Sequence, residues 1–378
     1  MGSGMAEIAL ENSIKFFGAS LDALDLQETV EVKRSYVHAL AFGKCSQPDL
    51  RDPYALFRNI VGNHIQQSGH QNLGRFVIES WLTPKPQVSD IDLIDEKCYW
   101  QFIKNDGFKV FAELLKEFVN THIFPSIPGM IGVDHSLTGG VLMALSERLG
   151  PENLGILVFD VHTDAIPLPI RSGLVKYALE AGLPSPGEIS KSLTVDPYTT
   201  GNFLLYLIER GIILPMNLIL IGPGDDADKW RRSKDHRVME YVRHYDSLME
   251  RGVKIISRDQ LKKLGPTTVQ KELDQLKCSH LYISLDVDVS AQCGVLAARF
   301  IDLVGTETTL VLETVWKVAE LLSSKRFGLA GLDIMEIDIH RVGVELKDGL
   351  KDQTENFIQK FIASLASNLP RPSSEMWT

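Results

Sequence analysis

The sequence predicts a three-layer α/β/α sandwich around a mostly parallel sheet, and two observations lead there. From about residue 125, short uninterrupted apolar runs alternate with amphipathic stretches. Runs without polar alternation suit strands buried on both faces, and the strand–helix rhythm suits a parallel sheet with helical crossovers. Polar and acidic clusters also follow several of these runs directly, at the strand ends where open α/β sheets place their ligands.

In chain order, a strand is expected near 14–18 (IKFFG) and helices near 27–41 and 108–120. The stretch 82–96 reads as a loop running into a short strand. Strands follow at 154–159 (LGILVF), 217–221 (NLILI), 253–256 (VKII), 281–285 (LYISL) and 328–334. Helices are expected at 138–149, 201–210, 237–251, 266–276 and 307–324, with a closing helix over 352–368. Residues 165–200, bearing several prolines and glycines, read as a long irregular stretch: a pocket wall, a lid or a plain insertion. With no linker, repeat or low-complexity tract, residues 1–378 read as one elaborated domain.

Composition narrows the function classes. Of 378 residues, 44% are hydrophobic and 23% charged, as in water-exposed globular chains. No run approaches the roughly 18 apolar residues that cross a bilayer. Residues 1–10 lack a basic stretch followed by an apolar core, and the Gly-Ser-Gly ahead of Met5 reads as a tag remnant, so a cytoplasmic location is expected. A net charge of -10 argues against nucleic acid, whose phosphates need a basic footprint. The four cysteines show no paired spacing and fit reduced thiols, with Cys293 either packed or lining a site.

Three segments carry chemistry: Gly132-Val133-Asp134-His135-Ser136 before a helix, Asp160-Val161-His162-Thr163-Asp164 after the strand 154–159, and Asp286-Val287-Asp288 after the strand 281–285. In an extended chain, residues i, i+2 and i+4 share a side, so Asp160, His162 and Asp164 would converge at the strand's carboxyl end, with Asp286 and Asp288 repeating the device. Acids emerging from dry strands need partners, because an unpaired buried carboxylate is costly. A metal cation meets that need.

These segments resemble the signatures of the ureohydrolase superfamily of arginases, agmatinases and formiminoglutamases: G-G-D-H-S, D-x-H-x-D and S-x-D-x-D. Gly331-Leu332-Asp333-Ile334-Met335-Glu336 is similar to the family's late strand that ends in a substrate-facing glutamate. The resemblance spans about residues 126–340, leaving residues 1–125 divergent. It implies the arginase-like fold and a hydrolase that opens a C–N bond of a guanidino substrate by attack of a metal-bridging hydroxide, releasing urea or a related product. It also implies a homo-oligomer, a trimer or hexamer. By the same resemblance His135, Asp160, Asp164 and Asp286 would hold one ion. Asp160, His162, Asp286 and Asp288 would hold the other, with Asp160 and Asp286 bridging. An oxygen-rich set with two imidazoles favours Mn²⁺ over zinc. Asp164 is expected to move a proton to the leaving group and Glu336 to pair with the cationic substrate nitrogen. Asp134 is expected to orient a ligand or cap the next helix.

The chain departs from the family pattern around the substrate. Val133 replaces a common glycine, the usual Asp-Pro after the second aspartate is missing, and Glu336 runs into Ile337-Asp338-Ile339-His340. The histidine many relatives carry between the second segment and the next helix is absent. Asn202, in Thr200-Gly201-Asn202-Phe203, is the substrate-contact candidate there, with His340 or His236 left as proton shuttle. Three alternatives stay open: hydrolysis of a formimino or linear amide bond, a single-zinc deacetylase-like site, and a non-catalytic metal-binding regulator.

Overall fold

In a computed structural model, which describes residues 10–11, 13–45, 50–67, 69–182, 196–347 and 349–366, eight strands form one sheet. They are β1 (Ile14–Ala19), β2 (Gln71–Arg75), β3 (Ile127–Gly132), β4 (Leu154–Phe159), β5 (Leu218–Ile221), β6 (Lys254–Ile256), β7 (His280–Asp286) and β8 (Gly328–Met335). The order across the sheet is β2-β1-β3-β8-β7-β4-β5-β6, and every pairing is parallel. All carboxyl ends therefore lie along one edge, with those of β3, β8, β7 and β4 side by side at its centre.

Side-chain alternation splits the strands between two apolar cores. Phe17, Ile156, Val158, Leu220 and Tyr282 face one layer; Phe16, Leu157, Phe159, Ile219 and Ile283 face the other. The first layer comprises α1 (Gln27–Ala41), α3 (Glu96–Lys104), α4 (Gly107–Phe118), α5 (Thr138–Leu149), α6 (Leu168–Glu180), α7 (Phe203–Glu209) and α8 (His236–Glu250). The second holds α2 (Pro53–Gln67), α9 (Arg258–Leu264), α10 (Thr267–Leu273), α11 (Thr308–Ser323) and α12 (Thr354–Ala366). This is the expected three-layer sandwich. Among the described residues, no helix is long and apolar enough to cross a membrane.

Two local expectations are corrected. The stretch 82–96 holds no strand. Its Gln87 and Asp90 form a reciprocal capping box around the short 3₁₀ turn Val88–Asp90, which takes the chain out of the extended conformation. The stretch 165–200 is not irregular throughout, because α6 begins at Leu168 with Pro169 in its first turn, where a fixed φ and a missing N–H suit a helix start. Its residues 183–195 lie outside the described residues, as does the Gly-Ser-Gly opening. Gly132 closes β3 where any Cβ would collide with the Ala19 carbonyl oxygen, so a side chain there would push β1 away from the segment carrying His135.

Candidate metal centre

Asp134, Asp160 and Asp286 each stand at or just beyond the end of a central strand, and each uses one carboxylate oxygen in the same way. Oδ1 accepts from the backbone N–H two residues on: Ser136 at 3.1 Å, His162 at 2.6 Å and Asp288 at 2.9 Å. This Asx turn bends the chain as it leaves the sheet and fixes the direction of the remaining oxygen. The convergence expected from extended alternation is thus reached by turns. Asp288 sits in a 3₁₀ turn (Val287–Ser290), and Asp164 adopts a left-handed φ of 45°. Glu336, directly after β8, is left-handed as well, at 60°. Non-glycine residues enter that region at a cost, and they persist where surrounding bonds hold them. Here Leu204 N–H donates to the Asp164 carbonyl (3.1 Å), while Arg299 N–H donates to that of Glu336 (2.8 Å).

The result is a dry cluster. His135, Asp160, His162, Asp164, Asp286, Asp288 and Glu336 are all at most 5% exposed. Nδ1 of His135 lies 3.3, 3.1 and 3.2 Å from Oδ2 of Asp160, Asp164 and Asp286. Nδ1 of His162 lies 3.5 Å from Asp160 and 2.9 Å from Asp288. Three overlapping sets have donor atoms within 4.8 Å of one another: His135 with Asp160 and Asp164, His135 with Asp286 and Glu336, and Asp160 with His162 and Asp288.

Several inward atoms have no hydrogen-bond partner: His135 Nδ1, Asp160 Oδ2, Asp288 Oδ2 and Glu336 Oε2. Leaving such atoms unpaired in a dry site is costly, and a divalent ion binds these donors readily. The residues present therefore fit a pair of cations.

Charge crowding appears in the acidities. Burial, and then the charge of Asp160, push the Asp164 carboxyl up to about 7 and Asp288 up to about 6. Burial, with Asp288 and Glu336 next, drives Asp286 well above the carboxylate range. Burial followed by Asp288 and Asp164 does the same to Glu336. Burial opposes ionisation of Asp160 too, yet the adjacent imidazoles of His135 and His162 draw it below its ordinary value.

Beneath the cluster runs a relay that the sequence reading did not isolate. Ser284 donates its hydroxyl to Asp333 Oδ1 (2.6 Å), while Thr138 and Tyr282 donate to Oδ2 at 2.5 and 2.6 Å. With its proton committed, Ser284 Oγ accepts from His135 Nε2–H at 2.8 Å, which leaves Nδ1 as the ring atom that would serve an ion; without one, burial opposes the imidazole's charge but the acids around Nδ1 hold its pKa well above the usual value. A lone acid inside the apolar run 328–334 was the available signal. Asp302, 3.2 Å from His162 Nε2, had none beyond being polar.

Above the cluster opens a cavity of about 890 Å³, lined by His162, Asp164, Thr200, Arg299 and Glu336 among others. Thr200 donates to Glu336 Oε1 at 2.9 Å and lies 3.4 Å from Asp164 Oδ2. Asn202 is not among the lining residues. Its amide donates to Asp196 and the Pro197 carbonyl and accepts from Thr199 N–H, leaving Thr200 and Gly201 as the members of that segment facing the cavity. His340 lines the cavity with Nε2 held 2.8 Å from the Pro84 carbonyl oxygen, whereas His236 is exposed at the start of α8. Asp134 caps the turn that carries His135 and pairs with Arg299 at 2.5 Å. Cys293 lies outside the lining, with its thiol 3.4 Å from the Gly305 carbonyl oxygen.

No curated protein matches the chain by sequence. Among solved structures, proclavaminate amidino hydrolase from Streptomyces clavuligerus is similar at 17% identity and TM-score 0.56, over 97% of this chain and 94% of its own. Arginase from Bacillus caldovelox follows at 15% and 0.55, over 94% and 98%. Formimidoylglutamase from Bacillus subtilis subsp. subtilis str. 168 is similar at 16% and 0.53, over 94% and 87%. At these identities the likeness is one of fold. The Arginase family model matches residues 83–339, more than half of the sequence and all of the clustered acids and imidazoles. The chain belongs to the arginase family of hydrolases.

Proposed function

We propose that this protein hydrolyses a C–N bond of a small guanidino compound with two divalent ions in attendance, releasing urea or a related product. The observation that carries the reading is the set of seven buried side chains, from the ends of four adjacent strands, whose unpartnered atoms face one another. His135, Asp160, Asp164 and Asp286 would hold one ion, and Asp160, His162, Asp286 and Asp288 the other. Mn²⁺ suits this oxygen-rich set better than zinc. Such a pair of ions supplies Lewis acidity that makes water nucleophilic near neutral pH.

The chain's own side chains would do the rest. Glu336 keeps Oε2 free while Thr200 holds Oε1, so its carboxylate can face the planar nitrogens of a guanidinium. Asp164, whose carboxyl lines the cavity, would pass a proton to the departing amine. Ile103, Phe108 and Val133 give the cavity apolar wall, which limits water around the bound group. Neighbours named amidino hydrolase, formimidoylglutamase and arginase share the fold, and this supports an amidine-type electrophile.

The test joins elemental analysis to urea or ammonia release across agmatine, arginine, 4-guanidinobutanoate, guanidine and formiminoglutamate. Two ions per chain with turnover of a guanidino compound is expected, and Asp160→Ala or Asp286→Ala removes both ions and turnover. Turnover retained after either change overturns the mechanism. Two bound ions without turnover of any compound overturn the catalytic reading, and turnover of formiminoglutamate alone overturns the guanidino assignment.

A further inference from the structure

The cations lining the cavity are not equivalent. Lys33 is buried against Asp22 (3.0 Å), Arg299 bridges Asp134 (2.5 Å) and Asp22 (3.4 Å), and Arg341 pairs with Asp338 (3.2 Å) and Glu28 (3.6 Å). Arg171 also lines the cavity, yet among the described residues its guanidinium has neither a hydrogen-bond acceptor nor an ion-pair partner. It lies in the first turn of α6, the positive end of the helix dipole, where a cation is disfavoured and an anion welcome. Its guanidinium passes close to Gly201, where a Cβ would stand 3.0 Å from Arg171 Nη1. Gly201 follows Thr200, whose hydroxyl bonds Glu336. One wall of the cavity thus carries the unpartnered Glu336 Oε2 and, beyond Thr200 and Gly201, the planar guanidinium of Arg171.

We infer that Arg171 receives the carboxylate tail of the substrate, so that the protein acts on ω-guanidino acids and discriminates against guanidino compounds with an ammonium tail. An Arg–carboxylate pair is bidentate and directional, which suits a residue that selects and orients one end of a ligand. An ammonium placed against the guanidinium would meet a like charge. The acids Asp302, Asp164, Asp225 and Glu336 keep the guanidinium firmly charged despite its burial, so it offers a permanent positive site. The inference rests on the proposed function for the reacting end of the substrate and adds the opposite end.

The experiment compares 4-guanidinobutanoate with agmatine, which share a guanidinium and differ in the charge of the tail, on manganese-loaded wild type, Arg171→Gln and Arg171→Lys. Wild type is expected to favour the acid at least tenfold in kcat/KM. Arg171→Gln lowers that ratio at least tenfold, chiefly through KM for the acid, and Arg171→Lys restores part of it. Calorimetric binding of 4-guanidinobutanoate to the chelator-treated proteins, weakened at least tenfold in Arg171→Gln, reads the same site without turnover. A ratio unchanged by Arg171→Gln, or turnover of both compounds raised equally, overturns the inference and leaves the proposed function standing. Binding that depends on Arg171 without hydrolysis of either compound overturns the proposed function and leaves Arg171 as an anion receptor.

Discussion

At the scale of single residues, orientation decides whether the clustered donors can serve a metal. The hydroxyl of Ser284 does this for His135, because it donates to Asp333 and so accepts from Nε2–H. Ser284→Ala removes that acceptor and one of the three donors that satisfy the buried Asp333. We expect the variant to lose about 1–3 kcal/mol of stability and to bind Mn²⁺ about 10–100-fold more weakly, read by thermal melting and metal titration. Unchanged affinity would show that the His135 ring needs no help from Ser284. Only part of this arrangement was legible in the sequence. The ligand types stood out because acids and imidazoles end apolar runs. Thr200 and Asp302 did not, since each lies in a connection whose path depends on what it packs against, and Arg171 did not because its helix falls in the stretch that reads as irregular. Asn202 drew attention by occupying the place of a missing histidine, yet its amide is spent on the Asp196–Thr199 turn.

At the scale of elements, legibility followed burial. The strands at 154–159 and 328–334 were readable because burial on both faces leaves little room for polar residues. β2 was missed for the opposite reason. It is the sheet's edge, paired with β1 alone, and its sequence QNLGR keeps polar side chains half or fully exposed. β3 escaped too, since Pro128 and Gly129 resemble a turn, although its neighbours pair with it on both sides. The β2 edge has its own pH sensitivity. His70, just before β2 and 8% exposed, accepts the Ile14 N–H on Nδ1 at 3.3 Å, and burial holds its pKa below the usual 6.5. A depressed pKa means that the contribution is present above the unfolded-state value and is lost as pH falls through the folded one. Protonation would also fill the nitrogen that accepts from Ile14. Amide exchange at Ile14 and along β2 should therefore speed up, relative to β4, when pH drops from 7.5 to 5.5. His70→Asn, which keeps an acceptor but does not titrate, should flatten that difference. Equal slopes in the two proteins would remove the His70 account.

At the scale of the molecule, the centre of the sheet is built for charge it does not itself balance. Asp160, Asp164, Asp286, Asp288 and Glu336 meet in one dry volume with two imidazoles, and repulsion among them opposes the apolar packing on either side of the sheet. A divalent ion reverses the sign of that interaction, so its binding free energy appears as folding stability, about 2.7 kcal/mol for one site at a hundred times its dissociation constant. Asp286→Asn separates the two regimes. The amide keeps the shape and the Oδ1 acceptor for Asp288 N–H while deleting one charge. In chelator at pH 8, the variant should therefore melt above wild type, by about 0.5–2 kcal/mol in stability, as when a functional site's strain is relieved. In Mn²⁺ the order should invert, because the variant has lost a shared donor and gains less from the ion. A purely structural aspartate would give a variant less stable in both conditions, and a surface one would leave both curves where they were. Only a carboxylate held against its neighbours for the sake of a cation gives a crossing, which makes the pair of melting curves a test of the metal assignment that needs no substrate.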